Sequence, residues 1–247
     1  MIALFTDFGT GGPYVGQVKA VLKSLAPDTP VVELLSDAPA FKVRACAYLL
    51  AALVSPFPAG SVFLCVVDPG VGTAARQPVF LRIDGRWYVG PGNGLLDVVA
   101  KQGESVEAWR VDWQPETLSR SFHGRDLFAP VAAMLAGGEK VPATPVALDR
   151  DSLDALPDDL KEVIYIDGFG NAMTGLRAAA LEEARMLDVG KSRLRHAATF
   201  GEAGKGEAFW YYNAIGLVEI AVNQGNAAKK LGLAVGDPVI FNSPASV

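Results

Sequence analysis

A chain of 247 residues, half of them hydrophobic, can bury one large core or two ordinary ones without disulfide or metal staples. Its 27 acidic against 22 basic residues give a net charge of −5. With no Lys/Arg cluster to offset that balance, a polyanion-binding surface is excluded and nucleic acid is not an expected partner.

MIALFT predicts a short buried strand rather than the basic, long-apolar start of a signal peptide. In the following segment Val15, Val18, Val21, Leu22 and Leu25 fall at helical spacing before Pro27 stops the run. TPVVELL predicts a second strand, VRACAYLLAALVSPF a helix ending before Pro56, and SVFLCVVDPG a strongly apolar strand closed by a turn. Strand, helix, strand, helix, strand is the order of βαβ units, so the fold class is α/β, with an N-terminal mostly parallel sheet and flanking helices. No apolar run approaches the roughly 18 to 20 residues of a membrane span. Together with the two cysteines, Cys46 and Cys65, read as buried free thiols without CxxC spacing, this predicts a soluble cytoplasmic protein with no membrane partner.

PVFLRIDGRWYVGP predicts a hairpin turning at Asp84 and Gly85, and NGLLDVVAKQ and DLFAPVAAMLAGG predict two further helices. Residues 138–160 carry three prolines, many acids and no sustained period. They set the expected division into residues 1–150, the α/β domain, and residues 151–247, a smaller domain of short strands punctuated by Gly and Asn that reads as a β-barrel. Within it, NQGNAAKKLGLAVGD predicts one short helix.

Asp7, Asp68 and Asp167 each end an apolar strand. In open α/β sheets ligands bind outside the carboxyl ends of strands, which favours a site at Asp7 and Asp68. Asp before Gly or Pro is equally ordinary turn chemistry. DPGVGT lacks the GKS/T ending of a phosphate loop and the GxGxxG of a dinucleotide fold, so Gly70 and Gly72 are read as allowing close backbone approach to an uncharged or cationic group. SFHGRDLFAP holds His123, one of only two histidines. His123 is either a positioned acid-base group or a structural histidine, while Arg125 and Asp126 fit an ion pair and a helix cap. No GxSxG elbow supports a serine hydrolase, and two histidines with two unpaired cysteines do not make a zinc set. His196 is read as structural. Phe169, Phe200, Trp210, Tyr211 and Tyr212 either stack on a planar base or fill a barrel core. Asn171, Asn213, Asn223 and Asn226 either read a nucleobase edge or hold turns.

Taken as a set, TDFGTGGPYVGQVKAVL, VVDPGVGT, GPGNGLL, FHGRDLFAPVAA, IDGFGNAMT and GLVEIAVNQGNAA run in order along the whole chain. The set resembles the S-adenosylmethionine (SAM) hydroxide adenosyltransferases, adenosine-forming SAM hydrolases related to fluorinase and chlorinase. The resemblance implies an α/β domain followed by a β-barrel domain, in a homotrimer whose active sites lie between one subunit's N-domain and the next subunit's C-domain. It implies attack of water on C5′ of SAM with loss of methionine, and neither metal nor cofactor. Asp68, Arg76 and His123 would position and activate the water. Asp7 would hold the ribose hydroxyls and Phe41 would wall the sugar. Asp167 would meet the methionine ammonium, Phe169 and Phe200 would stack near adenine and Asn171 would read its edge. Asn213 would lie near the methionine carboxylate, and backbone at Val222 and Asn223 would complete the purine pocket.

Two positions depart from the family pattern. Of two adjacent basic residues the first is Ala75 here and the second Arg76, and Ala214 stands where relatives tend to have Ser. The halogenases replace the Asp of DPG and the His of FHG, whereas this chain keeps both. Two other readings stand beside hydrolysis: a non-catalytic adenosine or SAM binder, motivated by Ala75 and Ala214, and a magnesium phosphohydrolase built on Asp7, Asp68 and Asp126.

Overall fold

β1 (Ile2–Thr6) is buried along its whole length, the environment of a strand flanked by neighbours on both edges and covered on both faces. In this computed structural model, which describes residues 1–73, 76–178 and 185–242, β1 pairs in parallel with β2 (Val31–Leu35) and β3 (Val62–Val66). Ala75, on which one sequence expectation rests, lies outside the described residues. The crossovers are α1 (Tyr14–Leu25), which buries Val15, Val18 and Leu22, and α2 (Val43–Leu53), which buries Ala45 to Leu50.

β4 (Pro78–Ile83) and β5 (Arg86–Pro91) form the expected hairpin. Its turn has φ of 48° at Asp84 and 78° at Gly85, the two positive values that a two-residue type I′ connection requires. β5 joins β3 in parallel, and beyond it the sheet turns antiparallel through β4, β6 (Val106–Val111) and β7 (Ala143–Pro145). The order is β2-β1-β3-β5-β4-β6-β7. α3 (Asp97–Gln102) follows β5, and a π-helical turn at Gly124–Phe128 runs directly into α4 (Ala129–Ala136). α1 and α4 cover the sheet face that carries Ile2, Leu4, Val62 and Leu64. Residues 138–160, which lack a period, hold β7 and α5 (Arg150–Asp154). α5 packs on α3. Among the described residues, no helix is long and apolar enough to cross a membrane.

The chain forms two compact units that divide between Leu156 and Pro157. The second holds β8 (Leu160–Ile166), β9 (Ala172–Arg177), β10 (Met186–Val189), β11 (Ser192–Leu194), β12 (Ala208–Tyr212), β13 (Leu217–Val222), the short α6 (Ala227–Leu231) and β14 (Val239–Asn242). They make an antiparallel sheet β12-β13-β9-β8 and another, β11-β10-β14. Bridges Glu162–Pro238 and His196–Trp210 join the two sheets at both edges, which closes the strands into a small barrel. Trp210, Val218, Ile220, Leu187 and Val189 fill its core. His196 packs against Trp210 at 4.6 Å and Tyr212 at 5.3 Å between ring centroids, in keeping with a structural histidine.

Candidate active site

Parallel pairing of β1 with β3 brings their carboxyl ends side by side, and with them Asp7 and Asp68. Asp68 is met by Arg76 at two points. Nε donates to Oδ1 at 2.6 Å, and Nη2 contacts Oδ2. The Arg76 and Asp68 side chains are only 6% and 5% exposed, so this is a desolvated pair rather than a surface ion pair. The Gly70 amide also donates to Asp68 Oδ1, at 3.2 Å. Gly72 has φ of 78°, and a Cβ there would lie 2.4 Å from the Arg120 carbonyl oxygen. Only glycine lets the 68–73 loop close against the segment that leads to His123.

His123 immediately precedes the π-helical turn, and its Nδ1 lies 3.4 Å from Arg76 Nη2. A guanidinium only donates, so Nδ1 is the acceptor and the imidazole proton is assigned to Nε2. Burial pulls the His123 pKa below its ordinary value, and the Arg76 charge pulls it further. The ring is therefore neutral at pH 7. Asp7 moves the other way, raised by burial against its own backbone hydrogen bond, with the negative charge of Asp68 adding to the rise. Asp7, Asp68, Ser121, Phe122 and His123 line a cavity of about 120 Å³. That is room for a few waters or the end of a ligand.

Arg125 and Asp126 serve as scaffold. Asp126 accepts from Arg125 Nε at 2.5 Å and from the Ser119 amide at 2.9 Å, and Arg125 Nη1 reaches Gln17 of α1 at 2.7 Å. The third carboxylate of the magnesium reading is thus already engaged. Among the described residues, no group of three or more His, Cys, Asp or Glu is placed to hold a metal. Burial pushes the Cys46 thiol up to about 12, and Cys65 higher, so neither offers a thiolate. Phe41, at φ 65° and 77% exposed, does not line the small cavity.

In the second unit a cavity of about 690 Å³ gathers Asp167, Phe169, Asn171, Phe200, Tyr211 and Val222. Asp167 organises its rim. Oδ1 accepts from the amides of Phe169 at 2.9 Å and Asn171 at 2.8 Å, and Oδ2 accepts from Asn171 Nδ2 at 3.1 Å. Gly170, at φ 87°, has no space for a side chain, since a Cβ would lie 1.9 Å from Asn226 Nδ2. The turn thereby leaves Phe169 81% exposed at the cavity. Phe200 packs edge-on against Phe209 and Tyr211.

Asn213 and Asn223 are not among the lining residues. Asn213 Oδ1 accepts from the amides of Ile215 and Leu217, and its Nδ2 donates to Glu219 at 2.8 Å. Asn223 Nδ2 donates to the Ala203 carbonyl at 2.7 Å. Gln224 and Gly225 line the cavity in their neighbourhood instead. Glu219, 2% exposed and the acceptor of Asn213 Nδ2, is a buried polar residue that sequence reasoning passed over. Its signal was a carboxylate inside the otherwise apolar strand LVEIAV.

Models of the SAM hydroxide adenosyltransferase N-terminal and C-terminal domains match residues 2–144 and 161–240. A protein of Thermus thermophilus named (R)-S-adenosyl-L-methionine hydrolase is 39% identical, over 96% of this chain and 98% of its own. One of the same name from Salinispora tropica is 38% identical, over 96% and 95%. A crystal structure of a Thermotoga maritima protein superposes with a TM-score of 0.86 at 30% identity, covering 98% of this chain and 100% of that one.

Proposed function

Because the chain belongs to the SAM hydroxide adenosyltransferase family, we propose that it hydrolyses S-adenosyl-L-methionine to adenosine and L-methionine by attack of water at C5′, without metal or cofactor. The observation that carries this reading is the contact set of Asp68, Arg76 and His123 at one small cavity beside Asp7. It offers a water one acceptor, the Asp68 carboxylate, and one donor, the His123 Nε2–H. Between them they aim an oxygen lone pair. As the C5′–O bond forms, the C5′–S bond breaks and its electron pair stays on the methionine sulfur. The water's second proton goes to Asp68 and then to solvent. The sulfonium is already a good leaving group, so alignment and exclusion of bulk water are the main tasks.

In this reading Asp7 holds the ribose hydroxyls and Phe41 lies beside the sugar. Phe169 and Phe200 stack on adenine, Asn171 reads its edge, and backbone at Val222 and Asn223 completes that pocket. Asp167 meets the ammonium, and the turn at Asn213 lies by the carboxylate. We assign a homotrimer in which each site combines the first unit of one subunit with the second unit of another. The two free buried thiols support a cytoplasmic location.

Incubation with SAM, followed by chromatography, should give adenosine and methionine in equal amounts, unchanged by EDTA. Adenosine binding with no methionine released would favour the non-catalytic reading. Activity lost to EDTA and restored by magnesium would favour the phosphohydrolase.

The acid limb of kcat/KM should lie below pH 6.5, the ordinary histidine value, because burial and Arg76 lower the His123 pKa. Protonating Nδ1 would break its contact with Arg76 and set two cations side by side. A limb centred at or above 6.5 in a pH–rate profile contradicts this assignment.

A further inference from the structure

We propose that Asn93 is a positioning residue for Asp68, Arg76 and His123: its carboxamide fixes the peptide that leads into Asp68, within a segment, residues 90–94, that also holds the carbonyl next to Arg76. Its part in turnover rests on the function proposed above. Residues 90–94, GPGNG, are not among those that line the cavity beside Asp7, so Asn93 acts through Asp68 and not on the substrate.

β3 pairs with β5 as far as Leu64 and with β1 as far as Val66. Val67 lies beyond both ladders and is fully buried, so its carbonyl needs a partner from outside the sheet. Asn93 Nδ2 donates to it at 2.9 Å. Asn93 Oδ1 accepts from the Leu95 amide at 3.2 Å, and this second bond, an Asx turn, decides which end of the carboxamide faces Val67. The Val67 carbonyl shares a rigid peptide plane with the nitrogen and Cα of Asp68. Fixing that plane fixes the point from which the Asp68 side chain starts.

The other arm of the ion pair is held from the same segment. The Gly92 amide donates at 2.8 Å to the carbonyl of Gln77, the residue after Arg76. A Cβ at Gly92 would lie 2.9 Å from that oxygen, and one at Gly90 would collide with the Cys65 carbonyl, so only glycine lets the segment run this close to both. Asp68 and Arg76 are eight residues apart in the chain, and their contact depends on where each is anchored. Arg76 in turn reaches His123 Nδ1. A displacement at Val67 is therefore felt by all three groups, and a misplacement of about 1 Å can cost a hundredfold in rate.

Two uncharged substitutions test this. Asn93→Ala removes both carboxamide bonds, whereas Asn93→Ser keeps a hydroxyl that can accept from Leu95 but is too short to reach Val67. In steady-state kinetics with SAM, both should lower kcat by about tenfold or more and leave KM within about twofold of the native value, since the brace acts on the reacting geometry rather than on ligand binding. NMR titration of His123 is the second readout, with its signals identified by comparison with His123→Gln in a chain of only two histidines. Burial and Arg76 lower the His123 pKa, and Asp68 and Asp126, with smaller effects, raise it. Loosening the anchor admits water and relaxes the Arg76 contact, so the pKa should rise toward 6.5 in both variants. A substitution that merely lowered stability would leave this titration as it is in the native protein. Native kcat in Asn93→Ser would make the turn at Leu95, not the bond to Val67, the feature that matters, and overturns the proposal. A native His123 titration in the folded variants overturns it as well. If Asn93→Ala does not fold, Asn93→Ser decides alone. A native protein that leaves SAM uncleaved defeats the hydrolase reading, and the titration then decides the placement of the three groups by itself.

Discussion

Asp68→Asn should lower kcat/KM for SAM by about a hundredfold or more, since it removes the acceptor for the water's proton. His123→Ala should lose a similar factor. His123→Gln should retain more activity than His123→Ala, because a carboxamide N–H can replace the Nε2–H donor assigned by the contact between Arg76 and Nδ1. Steady-state kinetics on the three variants, with circular dichroism to confirm folding, checks the ordering. Equal turnover in the native protein and Asp68→Asn would remove Asp68 from the chemistry. Full inactivity of His123→Gln alongside a partly active His123→Ala would reverse the donor assignment.

The second large effect concerns stability. Arg76→Ala should cost about 3–5 kcal/mol, because it strands a buried carboxylate. The Asp68 side chain is only 5% exposed and takes two contacts from the guanidinium. The double variant Asp68→Ala/Arg76→Ala should cost clearly less than the sum of the two single variants, since neither charge is then left alone. Arg193 and Asp188 provide the control, as their side chains are 58% and 30% exposed and the pair should be worth about 1 kcal/mol or less. Urea denaturation of the five proteins measures all of this. An Arg76→Ala cost no larger than that of the control would show the pair to be open to water.

The elements of the fold differ in how plainly the sequence shows them. β1 and β3 are legible because an uninterrupted apolar run, IALF in one and VFLCV in the other, fits a strand buried on both faces. The Asp84–Gly85 turn is legible because positive φ at two successive positions is a local demand. β6 is less so, since VEAWRV is only partly buried and carries charges of both signs. β7 has three residues and ends in a proline, which only an edge position tolerates.

The same contrast holds for the site. Asp68 and His123 stand out from their motifs, but the ion pair that joins Asp68 to Arg76 closes through the shape of an irregular loop, and no period encodes it. Asn213 reads from the sequence either as a ligand-facing amide or as a turn residue; in the structure its oxygen closes the turn after β12 and its nitrogen meets Glu219. The face on which Glu219 lies follows from strand parity, but only once the pairing of β12 with β13 is known. That Glu219 is nonetheless buried, with a hydrogen bond from Asn213 in the turn that joins the two strands, is not written in the alternation of LVEIAV.

In the proposed reaction, water positioned by Asp68 and His123 attacks C5′ of SAM. Turnover in H₂¹⁸O followed by mass spectrometry of both products tests it most directly. One ¹⁸O atom should appear in adenosine, on the 5′ oxygen, and none in methionine. Unlabelled adenosine, or cleavage that leaves the sulfur on the adenosyl fragment, would contradict it.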